Sequence, residues 1–254
     1  MRLKFKAVLL LVILAGAGVA LWKSGVIGHI AHPMWRFSKA AEADAAGYEM
    51  LKSEAERWKV RLSKRYQSAE GEARSEVEHD AAVVLETLLP EMMRCWLGTP
   101  WAFEGTSDTP GEGNIACGYF VATVLRDAGF VVDRYKLAQQ PSSKILHTFV
   151  PERTCMLTVD EAWPDFAARM NRAERGVWLV GLDTHVGFLV TTGDGFRFLH
   201  SSGSAPYQVV DEASADAGVL QRSSWRMTGR LLSDKALIRK WLTGETLRVA
   251  GVKD

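Results

Sequence analysis

The run VWLVGLDTHVGFLVTTGDGFRFLHSS, Val177–Ser202, decides the fold. Valine, leucine, phenylalanine and tryptophan crowd three short segments, and Gly193-Asp194-Gly195 separates the last two. That pattern predicts strands over Val177–Asp183, His185–Thr192 and Phe196–Ser202. Gly193-Asp194 suits the two-residue turn of a hairpin. With that turn Thr192 faces Gly195, and Gly187 faces His200. His185 then lies on the same sheet face as His200, diagonally across the ladder. Diagonal neighbours are about 7–8 Å apart at Cα, within reach for two imidazoles. A slip of one residue would send the two rings to opposite faces.

Outward from this core, Pro206–Val210 and Ser224–Leu232 also read as strands, and a last helix is expected near Ser233–Leu242 with Ser233 as its cap. Upstream the chain is helical. Ser38–Gln67 is rich in Ala, Glu, Lys and Arg, and Glu72–Trp96 carries an apolar face of Val77, Ala81, Val84, Leu85 and Leu88. Pro90 is expected to kink or interrupt that second helix. Residues 23–90 form either a helical spacer or helices packed on the following domain. Thr158-Val-Asp-Glu161 resembles a capping box opening a short helix that ends before Gly176. Helices first and an antiparallel meander afterwards make an α+β class, with the main domain at 91–254.

The N-terminus differs from the rest. Arg2, Lys4 and Lys6 precede an uncharged apolar run from Ala7 to Trp22. Residues 1–22 therefore read as a cleaved signal peptide or an uncleaved membrane anchor, either of which exports the remainder of the chain. A buried soluble helix is the third reading. Net charge is +1, with no basic stripe and no zinc-finger spacing, so nucleic acid is not an expected partner. The three cysteines, Cys95, Cys117 and Cys155, include no CxxC pair, so neither a metal site nor a cofactor is expected. An odd count leaves at least one thiol free, and Cys95 and Cys155 could pair.

Cys117 is the thiol with a chemical context. It comes after a loop, Gly98–Gly113, holding four glycines and two prolines. It opens a helix whose inner face is Cys117, Phe120, Val121, Val124, Leu125 and Ala128, ended by Gly129. Asn114 is the expected N-cap. At a helix N-terminus unpaired N–H groups can lower a thiol pKa from ~8.5 to roughly 3.5–7.5, and the same groups can receive an oxyanion. A cysteine there is also often plain packing. Among six histidines, His29 and His32 adjoin the apolar segment, His79 lies on a polar helix, and His147 sits in the irregular middle. His185 and His200 form the pair on the hairpin. Cys117, His185 and His200 would then serve as nucleophile, base and orienter.

These residues resemble a family. LGTPWAFEG, ACGYFVATVLRDAGF, DTHVGFLV and FRFLHSSG, in this order, look like the NlpC-type cell-wall cysteine peptidases, a papain-like group. Their pattern is a Gly-Thr-Pro-aromatic loop, Asp-Cys-Ser-Gly at a helix start, His-Val-Gly on a strand, and a third polar residue on the next strand. The resemblance spans roughly Leu97–Ser202. It implies a papain-like fold with the cysteine helix packed on an antiparallel sheet, Cys117, His185 and His200 as the catalytic set, and peptidoglycan stem peptides as substrate. Trp101 stands where the family has a loop tyrosine, and Tyr119 is two positions beyond the cysteine; both are candidate substrate-binding residues. Ala116 and Gly118 replace the family's Asp and Ser. The segment between Cys117 and His185 is long, and DRYKLAQQPSSKIL (Asp133–Leu146) within it is expected to form part of a groove. These departures leave open an amidase or acyltransferase acting on another envelope amide or ester, and a non-catalytic envelope-binding protein.

Overall fold

The computed structural model describes residues 42–252, so the segment read as signal or anchor, with His29 and His32, lies outside the described residues. Among the described residues no helix is long and apolar enough to cross a membrane. The described residues all belong to one compact unit.

Two long helices come first, α1 (Ala45–Ser68) and α2 (Gly71–Arg94). Neither stands off as a spacer. Tyr48, Leu62 and Tyr66 of α1 and Val77, Ala81, Leu85 and Leu89 of α2 are buried in the same cluster as the cysteine helix. Asp44 caps α1 by accepting from the Gly47 N–H at 2.8 Å. Pro90, expected to kink or interrupt this helix, does not interrupt it. Pro90 is buried within α2 one turn before its end, so the ring costs a single backbone bond where the helix is about to stop.

The helix α3 (Cys117–Asp127) is apolar nearly all round and is the centre of the larger core. Edge-to-face rings link it to both neighbours. Tyr48 packs on Trp96 at 5.4 Å between centroids, Trp96 on Phe120 at 6.3 Å, and Phe120 on Phe188 of the sheet at 5.9 Å. Gly129 ends the helix with φ +99°, as expected of a C-terminal glycine. Asn114 is not the cap: Ala116 holds that position, without a side-chain bond to the helix.

Two short helices come next, α4 (Arg134–Ala138) and α5 (Ser142–Phe149). After them the chain runs through β1 (Met156–Val159), α6 (Trp163–Asn171), β2 (Gly176–Leu182), β3 (Val186–Thr191), β4 (Phe196–Ser201), β5 (Val209–Ala213), α7 (Gly218–Arg222), β6 (Trp225–Arg230) and α8 (Lys235–Thr243). Thr158 falls within β1 rather than opening a helix, because Met156–Val159 pairs with β6. Helix α6 starts after Ala162 with proline in its first turn, and Glu161 pairs with Arg169 instead. Helix α8 is capped by Asp234, not Ser233.

All strand pairs are antiparallel, in the order β1-β6-β2-β3-β4-β5. Strands β2 to β5 form the expected meander. Strand β6 departs from it by returning to the far side of β2. Mixed helix with an antiparallel sheet is an α+β fold. The two sheet faces carry separate clusters. Leu179, Phe188 and Leu199 join the larger core, while Val180, Leu189, Phe196 and Phe198 pack with Phe166 of α6 and Leu220 of α7.

Candidate active site

The loop before α3 is pinned to the sheet, and this fixes where Cys117 sits. Gly98 N–H donates to Val209 O at 3.0 Å, Val209 N–H returns to Thr99 O at 2.9 Å, and Trp101 N–H donates to Tyr207 O at 2.8 Å. Ile115 N–H then donates to Pro100 O at 2.9 Å, and the Ser201 hydroxyl donates to Ile115 O at 2.6 Å. The entrance of α3 is thus held between the glycine-rich loop and the end of β4.

Cys117 is half-buried, at the first helical position. Burial pushes its thiol above the ordinary pKa and outweighs the backbone N–H groups of Cys117, Gly118 and Val186, the last of these adjacent to His185, which pull it down. The lowered pKa expected from a helix N-terminus is therefore not found. Cys95 and Cys155 are also free thiols, not a disulfide, and burial pushes them up to about 12 and about 11.

The hairpin has the register read from the sequence. Phe188 pairs with Leu199 and Thr191 with Phe196, with Thr192 N–H donating to Gly195 O across the turn. His185 Nε2 lies 2.7 Å from His200 Nδ1, and the rings meet edge-on at 4.8 Å between centroids. Gly187 makes this possible. A Cβ there would stand 2.7 Å from the Phe198 ring and 2.8 Å from His200 Cβ. Burial drives both imidazoles down, to about 3, with mutual repulsion adding to the effect on His185. At neutral pH both rings are uncharged.

Glu212 is the residue the sequence pattern did not reveal. Its Oε2 lies 3.0 Å from His200 Nε2, so the chain His185–His200–Glu212 is continuous. Glu212 is opposite Phe198 in the β4–β5 ladder, again one diagonal step from His200. Burial, with Asp216 nearby, pushes its carboxyl up to about 7 against the opposing pull of Arg222.

Two clefts meet at this chain, and Cys117, Gly118, Ala138, Gln140, Thr184 and His185 line both. The first, of about 440 Å³, adds Ser142, Ser143, Asp183 and Trp225. The second, of about 590 Å³, adds Trp101, Phe103, Tyr119 and Gln139. Both expected substrate-binding residues therefore lie on one side of Cys117. Trp101 packs on Tyr207 at 6.4 Å. Tyr119 is mostly buried, with its hydroxyl accepting from Gln139 Nε2 at 3.2 Å and its ring under the Arg134 guanidinium at 5.0 Å. From the long intervening segment, Ala138 and Gln140 line both clefts, Pro141, Ser142, Ser143 and Ile145 the first, and Gln139 the second.

That segment also accounts for Gly118. A Cβ on Gly118 would stand 2.3 Å from the Ala138 carbonyl oxygen, a backbone atom. A serine cannot occupy this position unless α4 moves. Gly118→Ser is expected to destabilise the fold by about 1–3 kcal/mol or more through overpacking, and to alter Cys117 alkylation by displacing the groove wall. Urea unfolding and the iodoacetamide rate check this; an unchanged midpoint and rate would show that the wall yields freely.

Among the described residues no cluster of three or more His, Cys, Asp or Glu side chains could hold a metal ion. No family model, curated protein or solved structure matches this chain.

Proposed function

We propose that the protein is a cysteine hydrolase with a papain-like arrangement of its site, and that it cleaves an amide bond. The observation that carries the proposal is the His185–His200 contact of 2.7 Å, in a cleft shared with Cys117. His185 Nε2 is engaged, which leaves Nδ1 as the base. In the reaction the Cys117 proton passes to His185 Nδ1 as sulfur bonds to the carbonyl carbon. The backbone N–H groups of Cys117 and Gly118 receive the oxyanion. Collapse breaks the C–N bond, and His185 returns the proton to the leaving amine. Water then attacks the thioester, gives a proton to His185, and releases the acid; that proton restores the thiol. Because burial disfavours both thiolate and imidazolium, the resting pair is neutral and the proton moves during attack.

The family resemblance supports peptidoglycan stem peptides as substrate, with the D-glutamyl–diaminopimelate bond as target. The positive flank and apolar run at the N-terminus support export to the cell envelope. One observation favours the second reading, an amide or ester outside peptidoglycan. Asp183 is the only charged side chain among the described residues lining the two clefts, apart from titratable His185 and Cys117. Stem peptides carry several carboxylates, and no lysine or arginine among the described residues lines the clefts to receive them. Asp183 is held below the usual carboxylate range by hydrogen bonds from Ser223 and from the backbone and hydroxyl of Ser224. It suits a substrate with a cationic group on that side.

The test is incubation of purified muropeptides with wild type and Cys117→Ala, followed by mass analysis. Cleavage by wild type alone is expected, and equal turnover by both proteins would sink the peptidoglycan assignment. Labelling of Cys117 by a thiol-directed electrophile without muropeptide cleavage would favour the second reading.

A further inference from the structure

The chain of hydrogen bonds from His185 to Glu212 has a direction, and the direction depends on one proton. His200 Nδ1 lies 2.7 Å from His185 Nε2, and its Nε2 lies 3.0 Å from Glu212 Oε2. A neutral imidazole has one N–H donor and one bare acceptor nitrogen. An ionised Glu212 can only accept, so His200 must carry its hydrogen on Nε2. Its Nδ1 is then bare and accepts from His185 Nε2–H. His185 Nδ1 is left bare and can take the Cys117 proton.

An added proton reverses this order. If it stays on Glu212, the carboxyl donates to His200 Nε2, His200 donates from Nδ1, and His185 is left with its hydrogen on Nδ1. If it settles on His200 instead, both of that ring's nitrogens bear hydrogen and His185 Nε2 must again accept. In either case His185 Nδ1 is no longer a base. We propose that Glu212 is a positioning residue that sets the tautomer of both histidines, and that the site is competent only while this chain lacks the extra proton. The proposal rests on the assignment of Cys117 and His185 as nucleophile and base.

The surroundings place the change near neutral pH. Glu212 faces His200 from across the β4–β5 ladder, and Phe198 opposite it is apolar. Asp216, in the turn after β5, raises its pKa, and Arg222 of α7 lowers it. With burial the dominant effect, the carboxyl titrates at about 7. A carboxylate also has a use in the reaction itself. When His185 takes the thiol proton, its Nε2 hydrogen can pass to His200 and the His200 Nε2 hydrogen to Glu212. The imidazolium charge, costly in this buried setting, is then cancelled without any ion entering the site.

Two measurements test this, and neither needs the natural substrate. The first is the pH dependence of Cys117 alkylation by iodoacetamide, followed by peptide mapping, in wild type and Glu212→Gln. Glutamine can accept from His200 Nε2–H through its carbonyl but does not ionise. Wild type is expected to lose about tenfold in rate per pH unit below the transition. Glu212→Gln is expected to hold its rate there, so that the variant-to-wild-type ratio rises about tenfold from pH 8 to pH 6. A variant that keeps the wild-type acid limb overturns the proposal. The second measurement is the ring ¹⁵N spectrum of the wild-type histidines, which serves even if the variant does not fold. Both rings are expected in the Nε2–H form above the transition. Below it, His185 is expected in the Nδ1–H form, with His200 in that form or doubly protonated. No change in His185 across neutral pH overturns the proposal. A wild-type Cys117 no faster than a free thiol at any pH would overturn the nucleophile assignment and this proposal with it.

Discussion

His185→Gln is expected to slow acylation of Cys117 by p-nitrophenyl acetate by about 10²–10⁴-fold at neutral pH, the usual contribution of a general base. The reason lies in the thiol. Burial holds Cys117 in its protonated form, and the backbone N–H groups around the sulfur do not make it a thiolate unaided. A base must remove the proton during attack, and His185 lines the same clefts as Cys117. Glutamine keeps a side-chain amide able to donate toward His200 but supplies no basic nitrogen. The p-nitrophenol burst measures the effect directly. The background from Cys95 and Cys155 is expected to be small, since both thiols are pushed up to about 11 or beyond. A burst rate within threefold of wild type would remove His185 from the chemistry.

Acid is expected to destabilise the fold by several kcal/mol between pH 7 and pH 3, with the buried histidine pair as a principal cause. His185 and His200 titrate at about 3 in the folded chain against 6.5 as ordinary imidazoles. Between those values the unfolded chain binds two more protons at these sites than the folded one, so stability falls as pH falls. Glu212 acts in the opposite sense. Its carboxyl is raised to about 7, so the folded state takes up a proton before the unfolded state does. That partly offsets the loss between about pH 7 and 4.5. Below this range both states hold the Glu212 proton and the histidine effect continues unopposed. Each pH unit per excess proton is worth about 1.4 kcal/mol. Urea unfolding at pH 7, 5 and 4 checks the slope. His200→Gln, which cannot titrate, is expected to flatten it. A stability independent of pH over this range would mean that the pair is not buried in the folded protein.

The extent to which the site is legible in the sequence depends on how each contact is fixed. The His185–His200 contact is legible because Gly193-Asp194 leaves a two-residue loop little freedom, so its length sets the register of β3 on β4. Gly187 comes with it, since it faces His200. The inner face of α3 is legible from its apolar spacing, and Gly129 from its place at the helix end. Glu212 is not legible. The β4–β5 connection runs over residues 202–208, too long for its length to set a register, and the strand expected at Pro206–Val210 stops before it. β1 is hidden by a resemblance of its polar residues to a helix cap, and its pairing with β6 joins residues about seventy positions apart.

By itself the sequence determined the α+β class, the hairpin with its two histidines, and a cysteine at the mouth of an apolar helix. Each comes from local periodicity or from a turn of fixed length. Only the tertiary structure decided what surrounds them. Folding carries α4 against Gly118, so close that no side chain fits there. It adds Glu212 to the histidine pair and buries the thiol deeply enough to raise its pKa rather than lower it. These are effects of distant segments converging on one place, and a linear pattern does not encode which segments those will be.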